Sequence, residues 1–167
     1  MTKSFLTARS LTAWDKISIL IYVVLSVVLW IYFTHIEDYQ SKRSLLLAYS
    51  LGTQVCLYVF NFRSLRNLTS YGIWLFIGLL HLVAYFHFKR NPLLSNVRGH
   101  AATGLRNTLP LLLLFQVLRA LSLRFQNREL VAPSKSTTDI FDERRVNFFD
   151  FMLFFVYFIG MIILLFN

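Results

Sequence analysis

The chain reads as an all-α integral membrane protein, one helix bundle with four to five transmembrane helices. Residues 146–167, VNFFDFMLFFVYFIGMIILLFN, are almost unbroken apolar residue. That is enough for a bilayer, which takes about 20 residues of helix. Blocks of similar character stand at about 17–36, 45–62 and 68–88. Composition agrees: 15% of residues are charged and 56% hydrophobic, against about 25% charged in soluble domains. A length of 167 residues predicts a single domain.

The first block, 17–36, follows a polar, mildly basic N-terminus, MTKSFLTARSLTAWDK. It is longer than a signal-peptide core and no small-residue cleavage site follows, so it reads as a retained anchor. A transit-peptide reading rests on Lys3 and Arg9 with no acid before Asp15. Asp15 is the expected cap, and His35, Glu37 and Asp38 mark the exit. The second block, 45–62, ends at Arg63 and Arg66. The third, 68–88, stops at Lys89-Arg90-Asn91-Pro92, because proline cannot continue a helix. Short connections after the first two predict antiparallel neighbours. Asn67-Leu68-Thr69 matches a glycosylation acceptor but abuts a span.

Residues 108–126, TLPLLLLFQVLRALSLRFQ, divide two arrangements. Thr108 with Pro110 marks an expected helix start. The first half is apolar all round, while Gln116, Arg119, Ala120, Ser122 and Gln126 share one side of a helical wheel. The segment is either a fifth span with Arg119 facing the bundle or an interfacial helix with Arg119 and Arg124 among headgroups. The excess of loop cations on the cytoplasmic side favours four spans with the N-terminus outside. The length of the apolar run favours five with the N-terminus inside. Both put 124–145 in the cytoplasm and the C-terminus opposite. In the linker RELVAPSKSTTDIFDERR, Thr138 or Asp139 could cap a final helix carrying Asp142 and Glu143 in its first turn.

The formal net charge of +9 does not point to nucleic acid, because the cations sit in short loops between apolar blocks. Anionic lipid headgroups are the expected partners, with Arg98, Arg106, Arg124, Arg144 and Arg145 at headgroup level. A single cysteine, Cys56, excludes an intramolecular disulfide or a cysteine zinc site. No hydrolase, zinc-protease or paired-carboxylate pattern is present, so no catalytic, cofactor or metal residue is nominated and no cofactor is expected.

Several groups of residues nonetheless carry expectations. Ala48, Gly52 and Cys56, at i, i+4, i+8, form a small-residue row that would let a neighbouring backbone approach closely. Tyr71, Trp74, Gly78, His81 and Tyr85 form one stripe, expected to be a packed seam with His81 bonded to a neighbour's hydroxyl or carbonyl. A haem or metal role for His81 would need a second ligand at matching depth. His35, Glu37, Asp38 and His87 are raw material for a metal site at the outer interface. The segment RGHAATGLRN, 98–107, could cradle a phosphate through backbone N–H groups but lacks the P-loop spacing, and reads as a loop touching lipid heads. Arg119 and Asp150 fall at similar depth in the five-span arrangement and are expected to form a buried ion pair.

The function expected first is a non-catalytic membrane component, a subunit or assembly partner packing against another membrane protein or a second copy. A transport or lipid-handling protein with a polar path near Arg119, Asp150 and His81 is the alternative. A lipid-acting enzyme using His35, Glu37, Asp38 and His87 is the third. The expected location is a bacterial inner membrane, with an organelle membrane as the other possibility.

Overall fold

A computed structural model of the protein describes residues 10–96, 99–131 and 145–166. They form an all-helical bundle: α1 (Ala13–His35), α2 (Tyr39–Val55), α3 (Leu68–Lys89), α4 (Thr103–Gln126) and α5 (Phe148–Phe166). Three of these helices, α1, α3 and α4, are long and apolar enough to cross a membrane. The balance differs from the sequence expectation. The doubted fourth segment is a continuous 24-residue helix. The second block gives a helix of only 17 residues, displaced toward polar sequence.

Local chemistry sets each boundary. Thr12, not Asp15, caps α1: Asp15 is its reciprocal partner, taking hydrogen bonds from the Thr12 backbone and hydroxyl at 2.9 and 2.8 Å in a capping box. Asp38 starts α2 by accepting from the backbone of Gln40 and Ser41. Those bonds, led by the Ser41 hydroxyl, hold its exposed carboxyl below the usual carboxylate range. This is why α2 begins at Tyr39 rather than near residue 45.

At its other end α2 widens into one π turn, Cys56–Phe60, closed by Asn61 N–H on the Cys56 carbonyl at 3.1 Å. The carbonyl of Phe60 is taken by the indole N–H of Trp14 at 3.0 Å. A 3₁₀ turn, Ser64–Arg66, leads to Asn67, which caps α3. After α3 a second 3₁₀ turn, Pro92–Leu94, leads into a two-residue antiparallel pair, Ser95–Asn96 (β1) with Gly99–His100 (β2). The expected loop is therefore folded over residues 99–107. Its last residues form the first turns of α4, which starts five residues before Thr108 and carries Pro110 inside it. Arg98 lies outside the described residues, as do Thr138, Asp139, Asp142, Glu143 and Arg144. The final helix starts at Phe148, after a reciprocal cap between Asn147 and Asp150 at 2.9 and 3.0 Å.

The bundle is organised around α4. Helix α3 packs along one side of it, α5 along another, and α2 crosses it at Gly104. A Cβ at Gly104 would overlap the Ser50 side chain, whose own Cβ lies 2.8 Å away. Within the chain the close approach falls at Gly104, where the sequence reading places one at Gly52. Ala48 and Gly52 face outward, and a Cβ on Gly52 meets nothing within 4 Å. The reason is polar. Helix α2 turns Ser50, Thr53 and Gln54 inward, where Thr53 meets Tyr22 of α1 and Gln54 donates to the Gly104 carbonyl of α4. That rotation puts the small row on the outside, with Cys56 half-buried at its end.

The core runs through Leu57, Phe62 and Leu65, then Tyr71, Trp74 and Ile77 on α3, then Leu111, Leu112, Phe115 and Leu118 on α4. Tyr71, Trp74, Gly78, His81 and Tyr85 are all on the buried side of α3. The outlier is α1. Of its 23 residues only Asp15 and Tyr22 are buried.

Candidate functional site

Tyr22 enters a polar node built from four helices. Two local motifs prepare it. On α1 the Ser26 hydroxyl donates to the Tyr22 carbonyl at 2.7 Å, and on α2 the Thr53 hydroxyl donates to the Tyr49 carbonyl at 2.9 Å. Each is a tyrosine with a hydroxyl residue four positions later, on one helix face. The motifs then exchange bonds. The Tyr22 hydroxyl reaches Thr53 Oγ1 at 2.8 Å, and the Tyr49 hydroxyl reaches Ser26 Oγ at 2.9 Å.

His81 of α3 closes the node. Its Nε2 lies 3.0 Å from both tyrosine oxygens, and its Nδ1 lies 3.1 Å from Thr108 Oγ1 of α4. Two directions are set by the backbone: Ser26 and Thr53 donate to the Tyr22 and Tyr49 carbonyls. The Tyr49 hydroxyl donates to Ser26, while the Tyr22 hydroxyl lies within reach of Thr53, of the Tyr49 oxygen at 3.1 Å and of His81. Both imidazole nitrogens are occupied, whichever of them carries the proton. Aromatic packing reinforces the joint, with the Tyr22 ring edge-on to Trp74 at 5.1 Å and the Tyr49 ring edge-on to His81 at 5.4 Å.

Beside the node is a partly open cavity of about 170 Å³, framed by α1, α2 and α3 with Leu105 of α4. Its walls include Trp30, Phe33 and Phe88; Ser26, Tyr49 and His81 supply its polar surface. No charged side chain lines it.

The polar stripe of α4 faces inward along its whole length. Gln116 donates to the Leu65 carbonyl at 2.9 Å and Ser122 to the Arg128 carbonyl at 2.9 Å. Arg119 is 2% exposed, so the reading that puts it among headgroups is corrected. The carboxylate on its guanidinium is Glu129, at 2.8 Å from Nε and 3.0 Å from Nη2. Glu129 is the carboxylate seen on this guanidinium, where the sequence reading expects Asp150. Asn127 takes the left-handed conformation at φ 53° and ends α4, so the chain folds back and delivers Glu129 to a helix face about two turns before that end. Asp150 is fully buried, accepting from the Gln126 amide at 3.1 Å and capping α5 with Asn147.

The other nominated residues stay apart. Among the described residues no group of three or more His, Cys, Asp or Glu could hold a metal ion. Asp38 is engaged as the α2 cap, His35 Nδ1 sits 2.8 Å from the Ile31 carbonyl, and the ring of His87 packs on Phe88 at 5.5 Å. His35, Glu37, Asp38 and His87 do not gather into such a group. Of the basic residues, Arg124 and Arg145 are exposed, and Arg106 lies over the Tyr85 ring at 5.7 Å.

Sequence reasoning singled out His81 but not Tyr22, Ser26, Tyr49, Thr53 or Thr108. The available signal was the repeated Tyr-x-x-x-Ser/Thr spacing inside otherwise apolar helices. No family model, curated protein or solved structure matches the chain.

Proposed function

We propose that this chain is a multi-pass integral membrane protein that works as a non-catalytic component of a membrane assembly. The observation that carries the reading is α1. Large apolar side chains stand half exposed or more around its circumference, among them Leu20, Ile21, Val24, Val27, Val28 and Ile31. In water such a surface would cost about 25 cal/mol for each Å². In a bilayer it costs nothing, so lipid is its natural medium. The polar node supports a structural role for the buried histidine, because both its ring nitrogens are engaged by residues of the other three helices.

Two measurements test the two halves of the reading. The full chain should stay in the pellet when membranes are washed at alkaline pH; release into the supernatant would end the membrane assignment. A photocrosslinking residue at Val24, on the outward side of α1, should give one discrete protein adduct in intact membranes, while the same residue at Ile159 on α5 should not. Adducts to lipid alone from Val24 would leave a membrane protein without the assembly role.

The cavity beside His81 favours a second reading, a lipid-handling protein. In that case the polar path runs through Ser26, Tyr49 and His81, away from Arg119 and Asp150.

A further inference from the structure

We propose that the cavity between α1, α2 and α3 binds a neutral lipid alcohol, with the ligand hydroxyl donating to Ser26 Oγ. Size, charge and proton accounting lead there. A void of about 170 Å³ compares with apolar cavities of about 150 Å³ that take a benzene ring. It can hold a head and roughly six carbons, and its open side lets a longer tail continue outward. The walls are Trp30, Phe33 and Phe88 with aliphatic side chains between them, which excludes a polar body.

The absence of any cationic or anionic side chain in the lining excludes a charged head, whose desolvation nothing there would offset. The choice among neutral heads follows from the node. The protons of the two hydroxyls that line the cavity are committed, Ser26 to the Tyr22 carbonyl and Tyr49 to Ser26, and His81 Nε2 already faces the two tyrosine oxygens. What faces the cavity with capacity to spare is oxygen lone pairs: Ser26 Oγ accepts one bond, from Tyr49, and has room for a second. A ketone or ester carbonyl would find no free donor without breaking the joint between α1 and α2. A hydroxyl brings its own proton and leaves the joint intact.

The test uses the full chain purified in mild detergent and a hexadecanol carrying a photoreactive diazirine near its head. Labelling should concentrate on the peptides around Trp30, Phe33 and Phe88. Unlabelled hexadecanol should compete it away, and hexadecyl methyl ether, with the same chain and no donor, should not. Ser26→Ala removes the acceptor and should weaken labelling about fivefold, the worth of one neutral hydrogen bond. Ala84→Phe, which fills the cavity, should abolish it. Thermal unfolding in the same detergent checks that each variant folds; if Ala84→Phe does not, Ser26→Ala and the ether comparison decide. Equal competition by the ether, unchanged labelling of Ser26→Ala, or labelling spread evenly onto outward positions such as Phe76 and Ile159 would each overturn the assignment.

Discussion

Helices α1 and α4 are close in length, 23 and 24 residues, and both are long and apolar enough for a membrane. They occupy opposite places. Helix α1 is the more apolar and buries two residues; α4 is interrupted by Asn107, Thr108, Gln116, Arg119, Ser122 and Gln126 and buries ten. In a water-soluble bundle that ordering would be reversed. Where the surroundings are hydrocarbon, burial of apolar surface no longer separates inside from outside, and polar side chains gather at the centre because only other side chains can satisfy them. Polarity pattern, not hydrophobicity, identifies the core helix here.

The comparison breaks most sharply at Arg119. Arg119→Leu leaves Glu129 facing a buried position without its cation. It should lower stability in detergent by about 2–3 kcal/mol, less than a fully buried pair because Glu129 is 30% exposed. Pairing it with Glu129→Gln should recover part of the loss, whereas pairing it with Asp150→Asn should not. Recovery with Asp150→Asn instead would restore the partner expected from the sequence.

A smaller effect separates two glycines. Gly104→Ala puts a methyl group into Ser50 and should cost about 1–3 kcal/mol in thermal unfolding. Gly52→Ala should be neutral or slightly stabilising, since its Cβ meets open space and alanine favours helix. Equal losses at both would mean that the small row on α2 packs against another chain.

Tyr22→Phe keeps the ring on Trp74 and removes one hydroxyl from the node, at about 1 kcal/mol. Its signature should be local: faster amide exchange in α1 with α3 and α4 unchanged. Faster exchange throughout would show that α1 is part of the core rather than attached to it. Smallest of all, Val24→Ala on the outward side of α1 should change the stability of the isolated chain by less than about 0.5 kcal/mol. A larger loss would reveal a neighbour on that face even in detergent.

Much of this arrangement is written in the sequence, unevenly. The α3 stripe can be read from spacing alone, because 71, 74, 78, 81 and 85 repeat at helical intervals and mix aromatic, small and polar types. The inward polar side of α4 is legible the same way. Partners are not. Nothing local to Arg119 says that the chain reverses at Asn127 and returns Glu129 to it, and Asp150 at similar depth looks equally suitable. Small residues in a row mark a surface able to pack closely, but α2 is oriented by Thr53 and Gln54, whose hydrogen-bond partners on α1 and α4 outweigh the packing available to Gly52. The node escaped notice because tyrosine, serine and threonine each look ordinary in a helix. Only the convergence of four helices makes them a group.

The way Tyr22 ties α1 to the bundle bears on how the chain is made. Synthesis runs from the N-terminus, so α1 emerges before any of its partners, with His81 and Thr108 following 59 and 86 positions later. In a bilayer α1 can wait: its backbone is satisfied within the helix, and Ser26 is already bonded to the Tyr22 carbonyl. Helix α4 could not, since Gln116, Arg119, Ser122 and Gln126 would meet hydrocarbon unsatisfied. Gln116 finds the Leu65 carbonyl already made, whereas the partners of Arg119, Ser122 and Gln126, which are Glu129, the Arg128 carbonyl and Asp150, follow them in the chain. The helix that tolerates isolation best is made before the one whose polar side is satisfied from both directions along the chain.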